Sequence, residues 1–345
     1  MAHFASKYKL DNLILFVDDN KVQLTDSLAK IMPVNIKAFF EAVNWKVLEI
    51  DGHNYQEIWK ALQEANSSND GRPVVILGNT IMGKGVDFME KDGLEFKSTW
   101  HGSAPKVEQA NEVLPSLTLS ESENITLQNW LKENVKLHPE KPFFPESLSK
   151  NNLNIGVPRL YTLETLTDCR TAYGMALLDL ADLNQNIIGL TADLRGSVMT
   201  KFLAEKYPER HLECGIAEQN MVSLAGGFSL SGFIPFTSTF GAFMTSRAKD
   251  QARVNDINHT NVKMVATHCG LSVGEDGPTH QSIDDVGSVL GFLNTMPIEP
   301  VDPNHTDRII RYIASHFGNL YVRMGRHKFP IVTKEDGTPF YGVDY

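Results

Sequence analysis

Glu218 stands where a polar run turns into an apolar helical pattern. The stretch reads His211-Leu-Glu-Cys-Gly-Ile-Ala-Glu218-Gln-Asn-Met and continues into Val222, Leu224 and Ala225. A glutamate in a first helical turn usually answers the helix dipole. The same carboxyl, buried, could instead press against a ligand nitrogen, and the residues alone leave both readings open. A second group follows an apolar run at 262–268. Cys269-Gly-Leu-Ser-Val-Gly-Glu-Asp-Gly-Pro-Thr-His280-Gln281 carries Gly270, Gly274 and Gly277, which let backbone approach a ligand closely. With His268 in front, that segment presents two imidazoles (His268, His280) and Asp276, able to bind hydroxyls or move protons. A structural turn with a capping Asp explains it equally well.

Further candidates are individually weaker. Phe240 and Phe243 are three apart, a spacing that normally means core but also suits one wall of an aromatic ligand pocket. Asp18-Asp19-Asn20-Lys21-Val22 follows an apolar run; its oxygens could serve Mg²⁺ together with phosphate, or simply form a polar turn. Arg323 and Arg326 end a strand-like run, Arg170 lies near a helix start, and Ser197 closes Ala192-Asp193-Leu194-Arg195-Gly196-Ser197. Arginines at strand ends suit phosphate, whereas single surface arginines are usually solvated. Trp100-His101-Gly102-Ser103 sits in a long polar loop, 78–105, of a kind that is often functional.

The elements needed to position these residues alternate. The pattern predicts strands over 13–17, 46–50 and 73–77 and helices over 36–44, 55–66, 106–114 and 122–137. Residues 138–160 hold four prolines and little periodicity and read as a linker. A second block predicts helices over 167–182, 218–231, 240–254 and 306–316 and strands over 187–190, 233–239, 262–268 and 320–323. This is an α/β chain with two parallel-sheet domains, at 1–137 and 161–330, and a tail over 331–345. Ligands of such sheets bind at the carboxyl ends of strands, where most of the candidates fall.

Length and composition set outer limits. The 345 residues suggest about two domains. With 42% hydrophobic residues, disordered and collagen-like classes are out. Apolar runs are too short for a membrane-spanning helix, and the amino terminus lacks the features of a secretory signal. A formal charge of −10 argues against nucleic acid or an anionic membrane as main partner. Cys169, Cys214 and Cys269 show neither metal nor disulfide spacing, which points to a reducing, cytoplasmic setting.

Taken in order, these segments resemble the transketolase family, enzymes dependent on thiamine diphosphate. The likeness runs through Lys9-Leu-Asp-Asn-Leu-Ile, Val17-Asp-Asp-Asn-Lys, Ile50-Asp-Gly-His, Met82-Gly-Lys-Gly-Val, Trp100-His-Gly-Ser, Ala192-Asp-Leu, Gly215-Ile-Ala-Glu-Gln-Asn-Met, Ser238-Thr-Phe-Gly-Ala-Phe and Gly274-Glu-Asp-Gly-Pro-Thr-His-Gln. The resemblance implies two thiamine diphosphate-binding-type domains and transfer of a two-carbon ketol unit between a ketose phosphate and an aldose phosphate, as in the pentose phosphate pathway. It implies that Glu218 hydrogen-bonds the aminopyrimidine ring and favours its imino form, which takes the thiazolium proton. Phe240 and Phe243 would hold that ring, and Asp193 would contribute to cofactor binding. Asn20, with the Val22 carbonyl, would ligate Mg²⁺ or Ca²⁺. His101, His268 and His280 would act in the cleft, Asp276 would read a donor hydroxyl, and Arg170, Ser197 and Arg326 would clamp the substrate phosphate. The family's active cleft lies between two chains of a homodimer.

Departures accompany the likeness. The family's Gly-Asp-Gly diphosphate anchor lies upstream of the Asn20 segment and is not in this sequence. Asp51-Gly52, followed 28 residues later by Asn79, imitates it but matches a later family segment. The opening residues resemble half a helix, and the third domain of the family would begin near Tyr345, so the first domain is expected to be incomplete. 1-Deoxyxylulose-5-phosphate synthase, a 2-oxo acid dehydrogenase component and a non-catalytic partner-binding subunit are alternatives; Glu218-Gln219-Asn220 and the 274–280 segment favour transketolase over the first two. Because the anchor is missing, the 345-residue chain alone is expected to bind thiamine diphosphate poorly and turn over little. Calorimetric titration and a ketol-transfer assay on the purified chain check this, and substantial turnover without a second polypeptide overturns it.

Overall fold

Strand-like runs separated by helical ones leave crossover connections and parallel pairing as the short route. The computed structural model of the chain shows that arrangement in both halves. It describes residues 1–135, 153–164 and 167–343. The chain divides into two units, Met1–Lys141 and Pro142–Tyr345.

The first unit runs α1 (Ala2–Lys7), β1 (Ile14–Asp19), α2 (Leu28–Ile31), α3 (Ile36–Ala42), β2 (Lys46–Asp51), α4 (Tyr55–Asn66), β3 (Val74–Asn79), α5 (Asp87–Leu94), α6 (Val107–Leu117) and α7 (Glu121–Asn134). Its sheet is parallel, in the order β1-β3-β2. The central β3 is the most apolar strand and is buried over Val74–Leu77. Phe40, Trp45 and Ala5 pack with Val75 in one cluster, and Ala61 and Ala65 pack with Val74 and Ile76 in another. The Trp45 indole N–H donates to the Ala2 carbonyl at 3.0 Å and so ties α1 to this core. Asn35 and Asn54 cap α3 and α4 by accepting from first-turn amides. The loop expected over 78–105 contains α5. That helix packs against the preceding turn only because residue 93 is glycine: a Cβ there would lie 2.1 Å from the Met82 carbonyl oxygen.

Most of the expected linker, residues 138–152, lies outside the described residues, as do 136 and 137. Residues 153–164 pack on the second unit. That unit contains α8 (Cys169–Leu183), β4 (Ile187–Thr191), α9 (Lys201–Lys206), β5 (His211–Glu213), α10 (Glu218–Leu230), β6 (Ile234–Phe240), α11 (Gly241–Arg247), α12 (Lys249–Ile257), β7 (Lys263–Thr267), α13 (Asp285–Val289), β8 (Thr295–Ile298), α14 (Pro303–Ser315) and β9 (Asn319–Arg323). The six-stranded sheet is parallel throughout, in the order β5-β4-β6-β7-β9-β8. One core cluster joins Tyr173, Leu177 and Leu180 of α8 and Ile310 and Ile313 of α14 to Phe236 and Val265; a second joins Met221 and Val222 of α10 and Met244 and Ala252 to Met264 and Tyr321.

Several features depart from the sequence-based expectation, among them the short helices α2, α9 and α13, where no helix is predicted. The helix expected over 240–254 is two helices, broken at Ala248 (φ −115°, ψ 15°), and Phe240 belongs to the end of β6. Strands β5 and β8 were not anticipated, since one has three residues and the other contains Pro297. The described part of the tail adds a bridge between Thr333 and Pro339, and Asp302 accepts from Val332 N at 2.9 Å. Among the described residues no helix is long and apolar enough to cross a membrane.

A buried ionic cluster fastens residues 153–164. Arg311, 1% exposed, donates from Nε to Asp307 at 2.7 Å, from one terminal nitrogen to Asp179 at 2.6 Å, and from the other to the Ile155 carbonyl at 2.7 Å. Arg159 adds a fork to Asp179 (2.9 and 2.7 Å), and its main-chain N–H reaches Asp307. Burial pushes the Asp307 carboxyl up, against the pull of Arg311. Removing one partner would leave a buried charge uncompensated, so Arg311→Leu is expected to destabilise the fold by about 3–5 kcal/mol. Urea unfolding measures this; a loss below about 0.5 kcal/mol, typical of surface changes, would contradict it.

Candidate functional site

The parallel sheet of the second unit sends β4, β6, β7 and β9 to one edge. Residues just beyond those ends, with the first turns of α8 and α10, supply most of the chemically capable side chains. Glu218 opens α10 and is 4% exposed. Phe240 closes β6; Phe243 lies in the first turn of α11, with its ring 5.5 Å from that of Phe240 and nearly parallel. His268 follows β7 in left-handed backbone (φ 58°). This uncommon conformation for a non-glycine residue places its ring 3.8 Å from Phe240, stacked. His280 approaches both phenylalanines edge-on, at 5.8 and 5.1 Å. Glu218 joins this cluster through Arg247, which donates to its Oε1 at 2.7 Å and lays its guanidinium 3.7 Å from the Phe243 ring centroid.

The electrostatics of His268 follow from this packing. Burial pushes its imidazole down to about 4, nearby Arg170 adds to the shift, Asp276 opposes it, and Arg326 and His280 lower it further. Its Nδ1 lies 2.9 Å from the Thr267 hydroxyl. Arg170 donates to the Ser197 carbonyl at 3.1 Å and lies 3.5 Å from Asp168. Its buried Nε is the atom that faces Asp168 and makes no regular hydrogen bond. Arg326 donates to the Val273 carbonyl at 3.1 Å and pairs with Glu275 at 2.7 Å and Asp276 at 3.6 Å. The structure therefore brings together Glu218, Phe240, Phe243, His268 and His280, with Arg170, Arg326 and Asp276 close enough to act on His268.

Other candidates stand apart or elsewhere. Asp193 is exposed, in left-handed backbone (φ 61°), with its N–H held by Glu213 at 2.6 Å. Arg323 is occupied by Asp285 (2.8 Å) and Glu299 (2.5 Å), a structural use. In the first unit, the Asn20 Oδ1 accepts from Val22 N at 3.0 Å, Lys21 pairs with Asp19, and Thr80 bonds Asp18. This turn borders clefts of about 770 and 300 Å³, lined among others by Asp19, Lys21, Lys37 and Glu49, and by Asp18, Asn20 and Val22. His101 is exposed, one residue after Trp100, whose indole bonds Asp92 at 3.0 Å. Among the described residues no group of three or more His, Cys, Asp or Glu could hold a metal. Asn20 keeps a second lone pair, so its hydrogen bond leaves room for one cation contact.

Sequence reasoning missed two residues. Arg247 follows Phe243 by four, one helical turn, and that spacing was the available signal. Glu213 accepts from Thr191 Oγ1, Asp193 N and Gly215 N, organising the turn after β4; nothing in its local sequence announces that.

A buried carboxylate beside two stacked aromatic rings fits a flat heterocycle carrying N–H groups. The fold and this cluster define an α/β domain whose chemically capable side chains gather at the ends of its parallel strands. Family models identify the two regions further: residues 1–139 match the transketolase thiamine diphosphate binding domain and residues 166–331 the transketolase pyrimidine binding domain. The chain is 32% identical to mouse transketolase-like protein 2 over 337 residues and 32% identical to human transketolase over 333, covering 95% of this chain and 50% of each relative. Among solved structures, Campylobacter jejuni transketolase superposes with a TM-score of 0.72 at 24% identity, over 96% of this chain and 54% of that one. The chain belongs to the transketolase family. It spans about half the length of the curated relatives it matches.

The unusual environment of His268 has a measurable consequence. An unfolded histidine takes its proton near 6.5, whereas folded His268 takes it near 4. Between these values the unfolded chain holds the extra proton, so this contribution to stability is complete above about pH 6.5 and is lost as pH falls toward 4. The His268 ring signal in an NMR titration is expected to move with a midpoint near 4; a midpoint near 6.5 would refute the assignment.

Proposed function

We propose that this chain contributes its two cofactor-binding regions to a transketolase-type transferase, active as part of a longer chain or assembly. The enzyme moves a two-carbon ketol unit from a ketose phosphate to an aldose phosphate, with residues 1–137 serving the diphosphate side and 161–330 the pyrimidine side. The observation that carries the reading is the buried Glu218 carboxyl, joined through Arg247 to the stacked Phe240–Phe243 pair. Thiamine diphosphate, when bound, supplies the carbanion stabilisation that side chains cannot.

The chain's own residues do the rest. Glu218 hydrogen-bonds a ring nitrogen of the pyrimidine and governs its protonation, while Phe240 and Phe243 bury the ring and keep water from it. Asp193 contributes to the cofactor site. Asn20 and the Val22 carbonyl offer two hard oxygens to Mg²⁺ or Ca²⁺; Mg²⁺ in particular commonly takes only one or two protein ligands when phosphate and water complete the shell. His268 stays neutral at physiological pH, so its Nε2 can accept or donate a proton, with Nδ1 occupied by Thr267. His280 and His101 contact substrate, and Asp276 reads a donor hydroxyl. Arg170, Ser197 and Arg326 bind the terminal phosphate, whose oxygens suit guanidinium donors. The working form is a homodimer in the cytoplasm.

In an assembly competent for turnover, xylulose 5-phosphate and ribose 5-phosphate are the expected substrate pair, and pyruvate is not expected to serve. Glu218→Ala is expected to abolish turnover there with only a modest loss of cofactor affinity. Product analysis and cofactor titration measure both; unchanged turnover refutes the role of Glu218, and products formed from pyruvate refute the reaction class.

A further inference from the structure

We propose that Arg247 is a resident stand-in for the pyrimidine ligand, a side chain that holds the Glu218 carboxylate and the Phe243 ring until an aminopyrimidine displaces it. The proposal rests on the reading of this pocket given above. Three observations carry it.

The first is chemical likeness. A guanidinium is flat, presents N–H groups along its edge and stacks on aromatic faces. An aminopyrimidine has the same attributes. Arg247 uses all of them, donating to Glu218 Oε1 at 2.7 Å and lying 3.7 Å from the Phe243 ring centroid.

The second is asymmetry. Glu218 is 4% exposed and Arg247 44%. The carboxylate is the fixed, buried partner, and the guanidinium is the one that can leave into water. Arg247 is also the last residue of α11, beside the break at Ala248, so its departure need not disturb a helix interior.

The third is need. A buried carboxylate without a partner is costly, and among the described residues Arg247 is its only ion-pair partner. The pocket thus stays satisfied without ligand, and the ligand must take over the same contacts. A half-exposed ion pair contributes little, so this exchange lies within reach of ordinary binding energy.

The probe is 4-amino-5-hydroxymethyl-2-methylpyrimidine, which carries the ring and no diphosphate and so does not depend on the first unit. It is titrated calorimetrically into the native chain, Arg247→Gln, Arg247→Lys and Glu218→Gln. The Arg247 Nε–H signal, shifted by the Phe243 ring, is followed by NMR in the native chain. Arg247→Gln is expected to bind about three- to tenfold tighter than native, the range a weak competing ion pair allows. Arg247→Lys, charged but not planar, should fall between, and Glu218→Gln should bind more weakly. Saturation with probe should remove the ring shift of Arg247 in the native chain. Equal or weaker binding by both Arg247 variants, with Glu218→Gln still weakened, overturns the stand-in and spares the pocket. An Arg247 signal unmoved at saturation does the same. Absence of binding to every variant, or binding indifferent to Glu218→Gln, overturns the pocket reading and this proposal with it.

Discussion

Parallel pairing forces every strand of a sheet to end at the same edge, and in the second unit that constraint makes the site. β4, β6, β7 and β9 each stop there, so the residues that follow them converge whatever their distance in sequence. Phe240 and His268 come from neighbouring strands and stack at 3.8 Å. Glu218 arrives from the helix that leads into β6, and the 274–280 loop returns His280 to the same rings. None of these residues is near another for local reasons except Phe240, Phe243 and Arg247.

Much of this was legible in the sequence. Tyr55–Asn66 is read to the residue, because Asn54 caps it and Ser67 ends it. Central strands announced themselves as short apolar runs between helical patterns, as Val74–Asn79 did. The failures have physical causes. β5 and β8 are short edge strands with little apolar content to set a period. The break at Ala248 falls between two helical faces that share a continuous pattern, so periodicity alone joined them. Of the site, the residues bearing chemistry were identifiable, whereas the ion pair of Glu218 with Arg247 depends on a meeting of α10 and α11 that no linear spacing encodes.

The pocket is balanced by opposed charges more than by apolar burial. Glu218 is neutralised from one side by Arg247. Arg326 is drawn to Glu275 and Asp276, and Arg170 rests on backbone carbonyl and Asp168. His268, buried among these arginines, remains neutral. These arginines are therefore already engaged by carboxylates and backbone carbonyls.

The buried Arg311 cluster bears on how the molecule can be divided. The pyrimidine-domain match begins at residue 166, yet Arg311 binds the Ile155 carbonyl, Arg159 binds Asp179 and Asp307, and Tyr161 exchanges two hydrogen bonds with Asn304. The physical edge of the second unit therefore lies upstream of its family boundary. A dissection made at 166 would strip the covering from the buried Asp307 and Arg311 and the half-buried Asp179, while one made before Asn154 would carry the neutralising segment along with the domain it protects.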